Sequence, residues 1–418
     1  MFLTQTNNIR GLSKYQYYML RLLCQYSNNL YNVGLYNIRQ HYFNEKQFLT
    51  YESNYHVCKE NENYSLLQAG VAQQTLKVVD RSFKSFFNLI KKAKSGEYRY
   101  QDISIPHYRK KGGLFNLVLS KNAISIKNGY FNVPFSRAFR EQHADCDIKI
   151  PFPERIDPAS VKEVRIIPVN NGKFFKIQYV YEVEVSDKNL DTDNTLAIDI
   201  GVDNLATCVT NNGTSFIMDG RKIKSINHYY NQRLATLSSI ADKQGFKRTN
   251  RICNVTRKRN NQCKDIIRKT ARYIVNYCID NNIGTIVVGY NKDFKRGSDI
   301  GKKNNQNFVQ IPFGDLRETI KNLCERYNIQ YLEVEESYTS KSSFLDLDPL
   351  PEYKAEQPYT GKFSGKRIKR GLYRSSDGTL INADVNGACN ILRKSEQNFD
   401  FEELCRGLLA SPFRIRVA

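Results

Sequence analysis

The chain has 418 residues, enough for roughly two to four structural units, and 40% of its residues are hydrophobic. No apolar run approaches the roughly 18 residues that a membrane helix needs, and the N-terminus lacks the basic start and apolar stretch of a secretory signal, so we expect a soluble, unexported protein. The 63 lysines and arginines exceed the 42 acidic residues and give a net charge of +21, which indicates a polyanionic partner; a merely soluble basic surface is the alternative.

The cysteines are scattered singly, and no two of them form a CxxC pair. This pattern predicts neither a disulfide framework nor a zinc knuckle. Reduced thiols in a cytosolic compartment fit it best. The cysteines are Cys24, Cys58, Cys146, Cys208, Cys253, Cys263, Cys278, Cys324, Cys389 and Cys405.

Two long helices are predicted in the first hundred residues. The first spans residues 13–47, with Ser13 and Gln16 as a capping box and apolar residues at helical spacing. The second runs from about Leu66 to Lys94, and its apolar positions leave basic residues on the other faces. A basic amphipathic helix is either a nucleic-acid contact or an ordinary solvated face. The candidate contacts are Lys77, Arg81 and Lys84.

Between Ile103 and Val185 the apolar period changes to two, which is typical of strands. The pairs Asn128-Gly129 and Asn171-Gly172 are typical of hairpin turns, so a small antiparallel sheet or barrel is predicted here. A short strand at residues 2–6 is a candidate to join it, and the two helices would then interrupt it. The predicted runs are residues 123–127, 130–134, 161–168 and 173–184.

The polar segment 186–194 is the predicted boundary between two halves of the chain. Three antiparallel strands follow it, the last two in a hairpin around Asn212-Gly213, and then helix, strand, helix, strand and helix. This is the element order of an RNase H-like fold. The predicted strands are 195–200, 206–209, 215–218, 285–288 and 330–334, and the helical stretches are 222–281, 313–327 and 383–394.

Basic residues are concentrated between Lys243 and Arg272, where Asp265 is the one acid. An apolar stripe that includes Ile266 and Ile274 is expected to pack on the sheet and leave the cations facing a nucleic-acid backbone. Such contacts would be blind to base sequence. The candidate contacts are Lys247, Arg248, Arg251, Arg257, Lys258, Arg259, Arg268, Lys269 and Arg272.

Two aspartates are candidates for metal binding. Asp199 lies inside the apolar run LAIDIGVDN, where an unpaired carboxylate is costly unless a cation or backbone amides hold it. Asp384 lies at the start of the last helix, where an ordinary helix-start residue is equally favoured. Position alone does not separate these alternatives.

Sequence motifs separate them. LAIDIGVDNLAT resembles the first RuvC motif of the TnpB family, and INADVNGACNI resembles the third. TIVVGYNKDFK occupies the place of the second motif, and SYTSK matches a later TS-containing segment. Related folds occur in type V CRISPR effectors and Fanzor proteins, and in RNase H-like nucleases paired carboxylates bind divalent ions for phosphodiester hydrolysis.

The resemblance implies an α+β multidomain protein. A wedge-like β-barrel would comprise residues 1–12 and 101–190, interrupted by a helical recognition insertion at 13–100. An RNase H-like α/β nuclease domain, called RuvC, would comprise residues 191–418, with an insertion at about 341–382.

The second motif departs from the family pattern. Gly289 stands where relatives commonly carry the glutamate, and this change taken alone predicts an inactive nuclease. Some relatives carry the glutamate on the next strand, which here ends LEVEESYTSK. Glu336 is therefore the predicted third ligand and Glu335 the alternative, because successive side chains of a strand point to opposite faces. Glu333 shares the parity of Glu335 and is expected at the surface.

The zinc site of relatives is also missing from the sequence. The segments SKSSFLD and YRSSDG replace the two CxxC pairs, so no structural zinc is expected. A basic stretch between them is either a phosphate-contacting loop or a solvated one. Its cations are Lys366, Arg367, Lys369, Arg370 and Arg374.

The function that the resemblance implies is that of a bacterial, transposon-encoded, RNA-guided DNA endonuclease. A guide RNA and a target-adjacent motif would direct it to double-stranded DNA, with Asp199, Glu336 and Asp384 binding Mg²⁺ or Mn²⁺. One monomer on one guide RNA, in the cytosol or nucleoid, is favoured. An RNA-guided repressor that does not cut is the alternative, and an unguided metal-dependent nuclease is a third possibility.

Overall fold

The computed structural model describes residues 1–143, 146–290, 310–353, 359–395 and 412–417. Residues 291–295 of the predicted second motif, and Cys405, lie outside these ranges. The chain divides into two compact units, Met1–Val183 and Glu184–Ala418. A search of the helices in the described ranges finds none with the length and apolar character needed to cross a membrane.

Helices α1 (Lys14–Glu45) and α4 (Ala69–Lys94) dominate the first unit. The capping box of α1 is confirmed: the Gln16 amide donates to the Ser13 hydroxyl at 3.1 Å, and the Ser13 amide donates to the Gln16 side chain at 3.0 Å. The shorter helices of this unit were not predicted. They are α2 (Tyr51–Cys58), α3 (Glu62–Ser65) and α5 (Arg137–Gln142).

The strands of the first unit form a four-stranded and a three-stranded antiparallel sheet. The N-terminal strand joins the larger sheet, and Asn128, Gly129, Asn171 and Gly172 have the positive φ angles of hairpin turns. Both sheets and the helices share one buried apolar cluster. In the order β1-β7-β6-β2, the larger sheet comprises β1 (Phe2–Asn8), β7 (Phe174–Glu182), β6 (Val161–Val169) and β2 (Leu117–Ser120); the smaller comprises β3 (Ser125–Lys127), β4 (Tyr130–Asn132) and β5 (Lys149–Pro151).

A six-stranded mixed sheet organises the second unit. Its order is β12 (Gln330–Glu335), β11 (Thr285–Tyr290), β8 (Thr195–Asp199), β9 (Asn204–Thr210), β10 (Ser215–Asp219) and β16 (Phe413–Ile415). Strands β8, β11 and β12 are parallel to one another, whereas β9 is antiparallel to both of its neighbours. Strand β16 was not predicted.

The helical elements of the second unit follow the predicted order. The basic stretch predicted at 222–281 consists of two helices, α6 (Arg221–Lys243) and α7 (Asn250–Asp280). The predicted bounds of α8 (Phe313–Tyr327) and α9 (Ala383–Lys394) are confirmed. The insertion carries a small antiparallel sheet of β13 (Lys366–Lys369), β14 (Leu372–Arg374) and β15 (Leu380–Asn382).

The two faces of the large sheet pack against different helices. Leu196 and Ile198 belong to an apolar cluster that includes residues of α7 and α8. Ala197 and Val287 belong to a second cluster, with Ile391 and other residues of α9. Because side chains alternate along a strand, this division assigns one parity of each strand to the α9 face.

Candidate active site

Three parallel strand ends bring the predicted residues of the first two motifs together. Val288 of β11 pairs with Ile198 of β8, so Gly289 follows beside Asp199. On its other side Gly289 pairs with Val334 of β12, and the Glu336 amide donates to the Tyr290 carbonyl at 3.3 Å. The carboxyl ends of β8, β11 and β12 thus share one edge of the sheet.

Strand parity distinguishes the three glutamates of β12 and its end. Val334, which has the parity of Glu336, packs in the α9 cluster. Glu335 instead accepts a bond from Lys394 at 3.0 Å, and Glu333 forms an ion pair with Arg317 of α8 at 3.5 Å. Glu333 and Glu335 are therefore already matched by cations.

Glycines lie directly against the carboxylates of Asp199 and Glu336. A Cβ atom built on Gly387 of α9 would lie 2.8 Å from Asp199 Oδ2. One built on Gly289 would lie 3.1 Å from Glu336 Oε2 and 2.5 Å from Ile391 Cδ1. Both carboxylates therefore occupy space that any larger residue at these two positions would contest.

Asp384 is held at the N-terminus of α9. The Asn382 side chain caps the helix by accepting from the amides of Asp384 and Val385, at 3.0 and 3.2 Å. Asn204 Nδ2 donates to Asp384 Oδ2 at 2.5 Å, and Arg367 Nη2 donates to Asp384 Oδ1 at 3.2 Å. Both oxygens of Asp384 thus have protein partners.

Asp199 and Glu336 are in a different electrostatic state. Burial raises the pKa of Asp199 to about 8, the negative charges of Asp384 and Glu336 add to this effect, and Arg367 opposes it. Burial, followed by the charge of Glu335, raises the pKa of Glu336 to about 7 against the influence of Arg317 and Lys394. Within the described ranges neither carboxylate has a hydrogen-bond or ion-pair partner.

These oxygen donors suit Mg²⁺ or Mn²⁺, which favour carboxylate ligands. Two carboxylates whose pKa values are raised and that have no ion-pair partner among the described residues also fit a site that gains a cation. However, no group of three or more His, Cys, Asp or Glu side chains among the described residues is arranged to hold a metal ion. The third donor, Asp384, is engaged by Asn204 and Arg367.

A cavity of about 770 Å³ opens beside Asp384, and its lining includes six cations against the two acids Asp203 and Asp384. The basic hairpin of β13 and β14 borders it, and Arg370 of this hairpin forms an ion pair with Asp203. A pocket of this charge suits a phosphate-bearing chain.

The insertion is held by aspartate and serine side chains. Asp348 accepts from the Ser343 amide at 2.8 Å and from the Ser364 amide and hydroxyl at 3.0 and 2.6 Å. Asp346 accepts from the Ser376 amide at 3.0 Å. The Asp346–Ser376 bond links the SKSSFLD and YRSSDG segments, and Asp348 ties the first segment to Ser364.

The predicted nucleic-acid contacts of the second unit fall into two classes. Lys247, Arg251, Lys258 and Arg268 are exposed. Arg259 instead donates to Asn227 and to the Gln310 carbonyl, both at 2.7 Å, and Arg272 donates to the Tyr327 hydroxyl at 2.8 Å. The remaining candidates are exposed Arg248, partly buried Arg257, which contacts Asn254, and Lys269, which pairs with Asp265.

The first-unit candidates lie on α4. Lys84 forms an ion pair with Asp80 at 2.8 Å, and the Lys77 ammonium lies 5.4 Å from the centre of the Tyr51 ring. Arg81 donates to the Lys77 carbonyl at 3.3 Å.

Sequence reasoning missed Asn204, Gly387 and Arg414 as parts of the site. Arg414 Nη1 donates to Asn204 Oδ1 at 2.8 Å, and so supports the amide that binds Asp384. Asn204 lies inside the first motif and Gly387 inside the third, but nothing in the motifs indicated that either residue contacts a carboxylate of another motif. Arg414 lies outside the motifs, in the unpredicted strand β16.

Comparisons with known proteins match this architecture. A family model described as a probable transposase, OrfB_IS605, matches residues 178–295, and a Cas12f1-like TNB domain model matches residues 313–391. The TnpB-like protein ORF457 of Acidianus two-tailed virus is 23% identical over 428 residues, covering 94% of this chain and 86% of that protein. Together these matches support a TnpB-family protein. The transposase model spans Asp199 and Gly289, and the TNB model spans Glu336, Arg367 and Asp384.

A solved structure shows the same mixed α/β fold outside the TnpB proteins themselves. Cas12f1, determined by cryo-electron microscopy with a single guide RNA and target DNA, matches with a TM-score of 0.60. The sequence identity is 17%, and the match covers 91% of this chain and 83% of Cas12f1. At this identity the likeness establishes the fold alone.

Proposed function

We propose that this TnpB-family protein is an RNA-guided DNA endonuclease whose second unit is an RNase H-like RuvC nuclease domain. The observation that carries the proposal is a pair of carboxylates without ion-pair partners among the described residues: Asp199 at the end of β8 and Glu336 just past the end of β12, on either side of the parallel strand β11. Family membership and the fold shared with a guide- and DNA-bound Cas12f1 support the same reading.

Asp199, Glu336 and Asp384 would hold Mg²⁺ or Mn²⁺, ions that stabilise the attacking and leaving oxygens in phosphodiester hydrolysis. Asp199 and Glu336 offer free carboxylate oxygens. Asp384, whose carboxylate is oriented by Asn204 and contacted by Arg367, would complete the donor set. Arg367 also lines the cavity beside Asp384, where its guanidinium would bind a phosphate of the DNA.

The remaining parts of the chain would hold nucleic acid. We propose a wedge-like barrel of residues 1–12 and 101–190, a helical recognition part at 13–100 and the nuclease domain at 191–418. A guide RNA would pair with one DNA strand, and exposed cations such as Lys247, Arg251, Lys258 and Arg268 would contact phosphates.

A second candidate function is RNA-guided DNA binding without cleavage. Two observations favour it: Gly289 replaces the familiar second-motif glutamate, and the described residues contain no closed three-ligand group. Such a protein would repress transcription by occupying its target. It would have no chemical use for the unpaired carboxylates.

Sequencing of the RNA that copurifies with the protein, followed by cleavage of a matching DNA with Mg²⁺, tests both functions. We expect Asp199→Ala and Glu336→Ala to abolish cutting without loss of guide binding. Glu335→Ala is the matched control, because Glu335 is paired with Lys394, and it should cut as the wild type does. A wild-type protein that binds guide and target but never cuts would establish the repressor instead.

A further inference from the structure

We propose that Gly387 and Gly289 are positioning residues that determine where the carboxylates of Asp199 and Glu336 lie. This inference rests on the proposed metal-dependent function and extends it to two residues that carry no metal-binding group.

Gly387 lies in the interior of α9, where glycine is a poor helix former. Its φ angle is not in the left-handed region, so the backbone does not require glycine. The space beside Gly387, however, requires a residue without a Cβ atom. A Cβ at this position would lie 2.8 Å from Asp199 Oδ2 and 3.6 Å from Asp199 Cγ, so the carboxylate would have to move away from the helix.

Gly289 plays the corresponding part for Glu336. Glycine weakens a strand interior, and here too φ is not positive. A Cβ would crowd Glu336 Oε2 at 3.1 Å and collide with Ile391 Cδ1 at 2.5 Å. The carboxylate that replaces a second-motif glutamate therefore occupies the space that a side chain at position 289 would need.

Metal ligands tolerate little displacement, since a working site holds its distances to about 0.2 Å. A carboxylate pushed aside by a methyl group exceeds that tolerance. Loss of groups that orient ligands typically weakens metal binding by about 10 to 100-fold. We expect an effect of this size from alanine at either position.

The test measures metal binding without requiring DNA cleavage. Fe²⁺ with ascorbate and peroxide generates radicals that cut the polypeptide next to a bound ion, and Mn²⁺ added in competition gives the affinity of the site. In Gly387→Ala the fragments ending near Asp199 should require at least about tenfold more metal. Gly314→Ala is the matched control, because its Cβ would meet no atom within 4 Å; it should titrate as the wild type does.

Variants at Gly289 separate an effect on core packing from an effect on the position of the Glu336 carboxylate. Gly289→Ala alone should lower the melting temperature, because its Cβ meets Ile391 Cδ1. Adding Ile391→Val removes that atom and leaves the tight contact with Cγ1 at 3.2 Å, so the melting temperature should recover in large part while the metal titration stays shifted. If the double variant binds metal as the wild type does, Gly289 matters only for packing and its role in positioning is refuted.

Asp199→Ala, titrated in parallel, separates failure of the proposed metal site from failure of the positioning role of Gly387. If it leaves the Fe²⁺ fragments unchanged, the proposed metal site itself is wrong. If it abolishes them while Gly387→Ala titrates normally with an unchanged melting temperature, the metal site stands and the positioning role of Gly387 is refuted.

Discussion

The sheet edge and the insertion treat their carboxylates in opposite ways. In the insertion, hydrogen bonds from Ser343 and Ser376 outweigh burial and hold the pKa of Asp346 below its usual value. At the sheet edge, burial raises the pKa of Asp199 to about 8. The chain thus gives hydrogen-bond donors to the acids that tie its insertion together and leaves the carboxylates of Asp199 and Glu336 without such partners among the described residues.

The largest expected effect concerns catalysis. Asp199→Asn should lower the rate of guided DNA cleavage by more than about a hundredfold, because it removes a ligand rather than a group that merely supports one. Glu333→Gln, which alters an acid already paired with Arg317, should retain the wild-type rate within a few-fold. Single-turnover cleavage of a labelled DNA duplex measures both. Equal losses in the two variants would remove the distinction between satisfied and unsatisfied acids.

In the insertion, we expect removal of an acid to lower the stability of the fold. Asp348 is buried and accepts bonds from Ser343 and Ser364, so Asp348→Ala leaves several donors without partners and should cost about 3 kcal/mol. The chain has no tryptophan, so circular dichroism or calorimetry is the suitable measurement. Asp377→Ala, which alters an exposed acid in a local turn, is the control. A stable Asp348→Ala protein would mean that other contacts hold the insertion.

Several features of the fold follow from local sequence patterns. The Ser13 capping box, the Asn-Gly turns and the bounds of α8 and α9 follow from local patterns, and the structure has them where they were expected. The resemblance of three segments to TnpB motifs led to Asp199, Glu336 and Asp384 as candidates. Local patterns identify these features because each depends on neighbours within a few residues.

The partners of Asp384 could not be predicted in the same way. Asn204 lies 180 positions from it along the chain, and the support from Arg414 depends on strand β16. A three-residue strand in which only Ile415 is partly buried is too short to show an apolar alternation. The aspartate and serine ties of the insertion were missed for a related reason: polar loop residues predict exposure, and only the folded loops bring Asp346 to Ser376.

Metal affinity should depend on pH at the sheet edge. The pKa of Asp199 rises from its usual 3.8 to about 8, so the metal-free fold loses stability as the pH rises through that interval. A bound cation must displace the proton, and its affinity should therefore increase between pH 6 and 8, by about tenfold per unit for each proton released. Calorimetric or Fe²⁺ cleavage titrations with Mn²⁺ measure this slope. Glu336→Gln should reduce it, and a flat profile in the wild type would show that these acids are already ionised.

The smallest expected effect concerns two neighbouring cations of α7, one of which has hydrogen-bond partners within the protein and one of which has none among the described residues. Arg259 is held by Asn227 and the Gln310 carbonyl, whereas Lys258 is exposed and has no ion-pair or hydrogen-bond partner among the described residues. Lys258→Ala should weaken RNA binding only a few-fold and lower the slope of log affinity against log salt by about 1, since one phosphate contact is lost. Arg259→Ala should chiefly lower the melting temperature, because it leaves internal acceptors unpaired. Filter binding across a salt series, with thermal denaturation of both variants, decides the matter: an unchanged salt slope in Lys258→Ala would mean that an exposed cation on this helix is only a solvated one.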